Sequence, residues 1–244
     1  MTRVHWDQIG DEETCSYLPD ERARYHYRVI ADCDPQTYTH LLTCGWRRFG
    51  RLFFRPVCAA CIACRSLRID VAAFTPSRSQ RRARARNDDL RVRLGRPRVD
   101  ARRLELYHRY HRAQAADRGW RDTAIDPRTY AHTFIEGAES FGHELTYWLG
   151  DQLLAVALVD ILPSAMSAVY CYYDPSQRSR SLGVNSVLYQ IELARAREID
   201  HLHLGYWVEG NASMRYKSRY QPHELLEGRP ALDGTACWRR VEGG

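Results

Sequence analysis

An apolar run, Ser167-Ala-Val-Tyr-Cys-Tyr-Tyr-Asp174, is followed by Arg180-Ser-Leu-Gly-Val-Asn-Ser-Val-Leu-Tyr-Gln-Ile-Glu-Leu-Ala-Arg195, a segment with helical character and no internal breaker. A strand that feeds a helix through a short Gly-containing loop constrains the fold, because the helix must return across the sheet holding that strand. The loop spells Arg180-x-x-Gly183-x-Asn185. Small residues at both of the last two positions would leave backbone amides open to a pyrophosphate. Asn185 puts a side chain where those amides are needed, so the reading is a helix start that crowds a nucleotide phosphate out.

The flanking segments extend this into an α+β plan. Asp34-Pro35 and Asp126-Pro127 each pair an N-cap with Pro at the first helical position, and Ser77 caps a third helix running to about Asn87. Arg102 to Arg118 reads as a helix closed by Gly119. Strands are expected at Arg51–Pro56, Leu67–Val71 and Leu90–Leu94. Further strands, Leu145–Leu149 and Leu153–Val159, form a hairpin around Gly150-Asp151, and His201–Trp207 follows the quoted helix. The best linker is Arg96-Pro-Arg-Val-Asp100, which divides the chain into an N-terminal unit, 1–98, and a C-terminal unit, 99–244, with a mostly antiparallel sheet crossed by a helix.

Charge is unevenly spread. The net charge is +6, yet the stretch from Arg78 to Arg103 holds eleven Arg against three Asp, a local +8 that leaves the rest of the chain at −2. Such a segment is either a polyanion site or a solvated helix face. Of 36 basic residues only Lys217 is Lys, and an ammonium does not substitute for a planar guanidinium fork. The acidic N-terminus has no apolar run, and no stretch of the chain is apolar for the roughly 18 residues a membrane span needs, so a cytoplasmic protein without membrane contact is expected.

Cys58-x-x-Cys61-x-x-Cys64 is the most specific chemical signal. In a reducing compartment clustered cysteines point to metal chemistry more than to disulfides. Two-residue gaps let successive thiolates turn onto one iron-sulfur cluster or zinc, with Cys15 as the fourth ligand ahead of Cys33 and Cys44. His201 and His203 share a strand face and read as structural. No Gly-x-Ser-x-Gly elbow, phosphate-binding Walker loop or Gly-x-Gly-x-x-Gly fingerprint occurs, which speaks against covalent catalysis and nucleotide hydrolysis. Gly205-Tyr-Trp207 and Met214-Arg-Tyr-Lys-Ser-Arg-Tyr220 interleave aromatic and basic groups, a mixture that serves either the stacking and phosphate contacts of a single-stranded RNA end or a plain aromatic core edge.

These words occur in a familiar order. Cys15-Ser-Tyr-Leu-Pro19, Phe54-Arg-Pro-Val-Cys-Ala-Ala-Cys-Ile-Ala-Cys64, Phe74-Thr-Pro-Ser77, Tyr172-Tyr-Asp-Pro175, Arg180-Ser-Leu-Gly183, Gln190-Ile-Glu192, Leu204-Gly-Tyr-Trp207 and Met214-Arg-Tyr-Lys217 resemble the aminoacyl-tRNA-protein transferases. The bacterial leucyltransferases are closer than the eukaryotic arginyltransferases. The resemblance implies an acetyltransferase-like (GNAT-type) C-terminal domain that takes aminoacyl-tRNA in place of acetyl-CoA, beside a smaller cysteine-containing N-terminal domain. It implies leucyl-tRNA, with arginyl-tRNA as the other donor, and proteins with N-terminal Asp or Glu as partners, and no CoA or nucleotide cofactor. Asp174 is then expected near the acceptor amine, with Tyr206 and Tyr216 as hydrogen-bonding groups at the reacting centre. Lys217, Arg215, Trp207, Gln190 and Glu192 are expected to line the substrates, and Arg78, Arg81 and Arg82 to meet tRNA phosphates. A tRNA-binding or iron-sulfur sensing protein that keeps the fold without transfer is the rival.

Overall fold

Two sheets joined by buried polar contacts organise the computed structural model, which describes residues 2–120 and 124–242. The smaller sheet is antiparallel and runs in the order β1 (Val4–Ile9), β4 (Tyr25–Ile30), β6 (Leu52–Pro56), β5 (Arg47–Phe49). Two-residue strands β2 (Glu13–Thr14) and β3 (Arg22–Ala23) make a separate hairpin between β1 and β4. One face of the smaller sheet packs on helix α1 (Pro35–Thr43), capped by Asp34 through Thr37 N, around Tyr38, Leu42, Trp46 and Phe53.

The larger sheet has eight strands in the order β14 (Trp238–Val241), β13 (His223–Leu226), β7 (Arg65–Asp70), β12 (His201–Trp207), β11 (Ala165–Tyr173), β10 (Gln152–Ile161), β9 (Gly142–Leu149), β8 (Arg91–Gly95). Its β11–β12 pair is parallel and its other pairs are antiparallel. The connection between β11 and β12 is α5 (Leu182–Ala196), the crossover that a parallel pair requires. Helices α3 (Ala101–Arg118) and α4 (Pro127–Phe134) cover the opposite face, and α2 (Arg78–Ala85) lies against α5. With helices on both faces, β10 is buried continuously from Leu153 to Asp160 instead of alternating. Among the described residues no helix is long and apolar enough to cross a membrane.

The sequence-based division at residue 98 does not separate two folding units. Strands β7 and β8 both precede it and both hydrogen-bond into the larger sheet, β7 between β12 and β13 and β8 at the edge on β9. A Pro- and Arg-rich segment looks like a linker by composition, but strand pairing is set by long-range register, which composition does not carry. The sheets are further welded by Arg48, whose Nε donates to Asp160 Oδ2 at 2.9 Å and whose Nη2 donates to Oδ1, with both side chains nearly inaccessible. Arg48 also lies over the Phe141 ring. Breaking a buried pair leaves an uncompensated charge, so Asp160→Ala is expected to lower stability by about 3–5 kcal/mol. The double replacement Arg48→Met with Asp160→Leu should recover most of that loss, and urea denaturation of the wild type and the two variants measures both effects.

Candidate active site

Strands β11 and β12 pair over three positions only, Ala165 with His201, Met166 with Leu202 and Ser167 with His203. Beyond them the strands part, and a side chain from the smaller sheet takes the place of the missing ladder. Arg47 Nη1 donates to Ser167 Oγ at 2.9 Å and Nη2 donates to the Ala168 carbonyl at 2.6 Å. Across the gap lies Gly205, at φ +80°, where a Cβ would stand 3.2 Å from Arg47 Nε. Only a glycine tolerates both that backbone conformation and that closeness.

The 3-10 turn Arg215–Arg219 carries Tyr216 and Lys217 to this gap. Lys217 Nζ donates to the Tyr206 carbonyl at 2.6 Å. Burial, and then the neighbouring Arg47 guanidinium, push the lysine down to about 7. Glu224 is not its partner, being bound by Arg68 at 2.6 Å with His201 at 3.5 Å. Tyr216 is 43% exposed as a residue. Its hydroxyl end is nonetheless pushed up to about 12 by burial, with Cys171 and Tyr173 nearby. Tyr206 is buried, and its hydroxyl donates toward the Gly45 and Phe54 carbonyls at 2.9 and 3.1 Å, tying β12 to the smaller sheet. Burial raises its pKa well above the usual tyrosine value. A hydroxyl so placed braces the cleft wall, which corrects the expectation of Tyr206 as a group at the reacting centre.

Asp174 departs further from expectation. Its Oδ1 accepts from Ser176 N at 3.0 Å and Ser176 Oγ at 2.8 Å, and its Oδ2 faces Gln152 Nε2 and Arg109 Nη2, each at 3.3 Å. The carboxylate caps the turn after β11 and holds no open lone pair for an amine. Glu192 is exposed on α5 and ion-paired to Arg84 of α2 at 3.1 Å, so it points away from the cleft. Gln190 is buried, donates Nε2 to Ser186 Oγ at 3.1 Å and leaves Oε1 without a partner among the described residues. Trp207 packs on the core beside α5, and Arg215 is exposed. Asn185 is 1% exposed, so its side chain lies inside the protein and does not crowd the outer amides of the loop as the pattern implied.

The cysteines gather beside the same cleft. Cys15, Ala23 and Cys58 form a small buried cluster with Tyr17, Tyr25 and Cys61 packed on it. Cys64 is pushed up to about 12 by burial and by the thiols of Cys15, Cys58 and Cys61. Tyr206 and Tyr17 both lie within electrostatic reach of Cys64 and of Arg47. Cys15 Sγ accepts from Tyr17 N at 3.5 Å and Cys58 Sγ from Arg24 N at 3.4 Å. Among the described residues, all eight cysteines are free thiols and no three His, Cys, Asp or Glu side chains already stand in a metal-holding arrangement. Sequence reasoning named the thiols and Lys217 as candidates, and it did not name Arg47, Tyr17 or Tyr25, which the fold brings beside them.

Helix α2 begins in a capping box, Ser77 with Gln80, which fixes where the basic run turns helical. Arg78, Arg81 and Arg82 are exposed and make no ion pair with a described carboxylate, unlike Arg84. Gln80 Nε2 reaches the Arg219 carbonyl at 3.2 Å, so this helix abuts the turn that carries Lys217.

Two family models match the chain: arginine-tRNA-protein transferase, N terminus, over residues 13–82, and its C terminus over residues 102–227. An aspartate/glutamate leucyltransferase of Campylobacter jejuni is 37% identical over 94% of this chain and 96% of its own length. One from Helicobacter hepaticus is 34% identical over 96% and 97%. Among solved structures, L-PGS from Bacillus licheniformis aligns with a TM-score of 0.47 at 11% identity, over 73% of this chain and 58% of that one.

Proposed function

The chain belongs to the arginine-tRNA-protein transferase family, and on that premise we propose that it moves leucine from leucyl-tRNA to the N-terminal Asp or Glu of proteins, marking them for degradation. The observation that carries the reading is the cleft between parted parallel strands, floored by two cations and bordered by a helix whose exposed Arg78, Arg81 and Arg82 pair with no described carboxylate. A crossover helix beside such a parting is the plan of the acetyltransferase-like fold, and the C-terminal half is read as that fold, working in the cytosol.

The chemistry asks little of the protein. The acceptor α-amine attacks the carbonyl carbon of the aminoacyl ester, a C–N bond forms, the C–O bond to the terminal ribose breaks, and the amine's proton leaves as the ribose hydroxyl regains one. The ester is already activated, so positioning and stabilisation of the developing oxyanion supply most of the rate. Tyr216 and Arg215, on the turn that carries Lys217, are read as hydrogen-bond donors to the developing oxyanion, and Lys217 as the group that meets the acceptor's carboxylate. Arg78, Arg81 and Arg82 take acceptor-stem phosphates. The direct test is labelled leucyl-tRNA with peptides of varied N-terminus; tRNA binding without consumption of the ester would support a sensor in its place.

The four thiols are proposed as the ligands of an iron-sulfur cluster or zinc. Their donor chemistry fits, since two of them accept backbone N–H bonds of the type that thiolate ligands take, although no three sulfurs yet converge. Such a centre would brace the Cys58–Cys64 loop and Tyr17, and no step of the transfer involves it. Protein purified without oxygen is expected to contain stoichiometric iron and be brown, or stoichiometric zinc and be colourless. Neither metal in such protein sinks the assignment.

Two variants test the donor and acceptor sides. Arg81→Glu is expected to weaken tRNA binding and flatten its salt dependence, because fewer counterions are released; an unchanged slope marks the helix as a solvated face. Lys217→Met is expected to lower kcat/KM on Asp- and Glu-starting peptides by about ten- to a hundredfold, the value of a charge-assisted contact, while leaving tRNA affinity in place. A lysine near pKa 7 loses its charge above that pH, while an acceptor amine of about 7.7–8.0 becomes nucleophilic only on losing its proton. Activity on Asp-starting peptides should therefore peak between about pH 7 and 8. The alkaline fall should vanish in Lys217→Met, as pH profiles of the two enzymes would show.

A further inference from the structure

Three arginines are buried among the described residues, and two of them are neutralised. Arg48 faces Asp160, and Arg103 lies between Asp100 and Glu144. Arg47, only 9% exposed, faces no described carboxylate at all; its two hydrogen bonds go to a hydroxyl and a carbonyl, both neutral. A second cation, Lys217, lies within electrostatic reach of it on the Gly205–Tyr206 side of the gap, and its one hydrogen bond is also to a carbonyl. The nearby acid, Glu224, is already taken by Arg68. Buried charges are paired as a rule, because removing an ion from water is costly without a counter-ion. Two such cations side by side, with no described acid between them, repel each other and wait for an anion from outside.

We propose that Arg47 and Lys217 form a single anion site on the floor of the cleft, and that its ligand is the side-chain carboxylate of the acceptor protein's first residue. The assignment rests on the transferase reading above and names a residue, Arg47, that determines its specificity. Arg47 carries five N–H donors and spends two on Ser167 and Ala168. The bare Cα of Gly205 leaves the guanidinium room beside β12. A planar fork matches a carboxylate edge, and a flexible ammonium opposite it adapts to carboxylates one methylene apart, which suits both Asp and Glu. An RNA phosphate fits less well. The exposed arginines of α2 that pair with no described carboxylate offer the surface a nucleic-acid backbone needs, whereas Arg47 is buried between the parted strands.

The experiment compares peptides that differ only in an N-terminal Asp or Asn, using the full-length enzyme and leucyl-tRNA. Arg47→Gln should reduce the Asp-over-Asn ratio of kcat/KM by about ten- to a hundredfold, and Arg47→Lys should keep most of that ratio. Transfer RNA affinity and its salt slope should stay unchanged in both. An equal loss on the two peptides makes Arg47 a brace for β11 and overturns the proposal. So does weakened tRNA binding with a shallower slope, which would put a phosphate in the site. Should Arg47→Gln fail to fold, the wild-type protein answers instead: an N-acetylated Asp peptide should raise its Tm, an Asn peptide should not, and Lys217→Met should abolish the difference. Equal shifts for the two peptides sink the anion site. A wild type that transfers nothing from leucyl-tRNA would refute the transferase reading alone, and the Tm comparison would still decide whether the anion site exists.

Discussion

Strand β5 is three residues long, and the alternation of side chains along it decides how the molecule is assembled. Arg47 and Arg48 are neighbours in sequence and therefore point to opposite faces. Arg48 goes to the α1 side and meets Asp160 of β10, fixing the smaller sheet to the larger. Arg47 goes to the other side and enters the gap between β11 and β12, where it replaces the ladder hydrogen bond that Ala168 would otherwise give a partner strand. A register slip of one residue would turn each side chain to the opposite face, so that Arg48 loses Asp160 and Arg47 loses Ser167 and the Ala168 carbonyl. The cleft therefore depends on the same strand register that holds the sheets together, and the Arg48–Asp160 pair works as a register device more than as a source of net stability.

The open face of the smaller sheet continues from this gap as an aromatic series. Phe54 lies 6.4 Å from Tyr206 and 6.3 Å from Tyr25, and Tyr25 lies 5.9 Å from Tyr27, centroid to centroid. Tyr17 and Tyr25 in turn border the thiol cluster. The polar chemistry of the cleft is thus walled by phenols whose burial keeps them protonated. Such walls lower the local dielectric, which strengthens every charge contact made on the floor.

Much of this was legible in the sequence wherever the signal was local. Asp34, Ser77, Asp100 and Asp126 all accept from the third residue of their helices, and three of those starts can be read locally, two from an Asp-Pro pair and one from Ser77 as a cap. The hairpin at Gly150-Asp151 and the crossover helix after β11 are local in the same sense. The smaller sheet was mostly invisible, because β1 is exposed along its whole length and β4 is half-buried, so neither alternates cleanly. Glu192 was misplaced because one step around a helix from buried Ile191 is enough to face solvent and Arg84. Asp174 looked catalytic because a strand-end carboxylate has the same one-letter signature whether it caps a turn or accepts a proton. Arg47 carried no signal at all: in a chain with 35 arginines, only the absence of an acid beside it distinguishes it, and that absence is a property of the fold.

The solitary lysine now has a physical reason. Position 217 sits within electrostatic reach of the Arg47 guanidinium, so a second arginine there would set two planar groups of like charge against each other in the gap. A lysine relieves that repulsion by releasing its proton near neutrality, and it recovers the charge when a carboxylate arrives. Its single-point ammonium also reaches the Tyr206 carbonyl without spreading a planar group across the cleft. The site therefore combines a planar guanidinium, which matches a carboxylate edge, with an ammonium whose charge adjusts near neutrality. That division of labour explains why a chain that uses arginine for all its other positive charges keeps one ammonium, and why it keeps it beside Arg47.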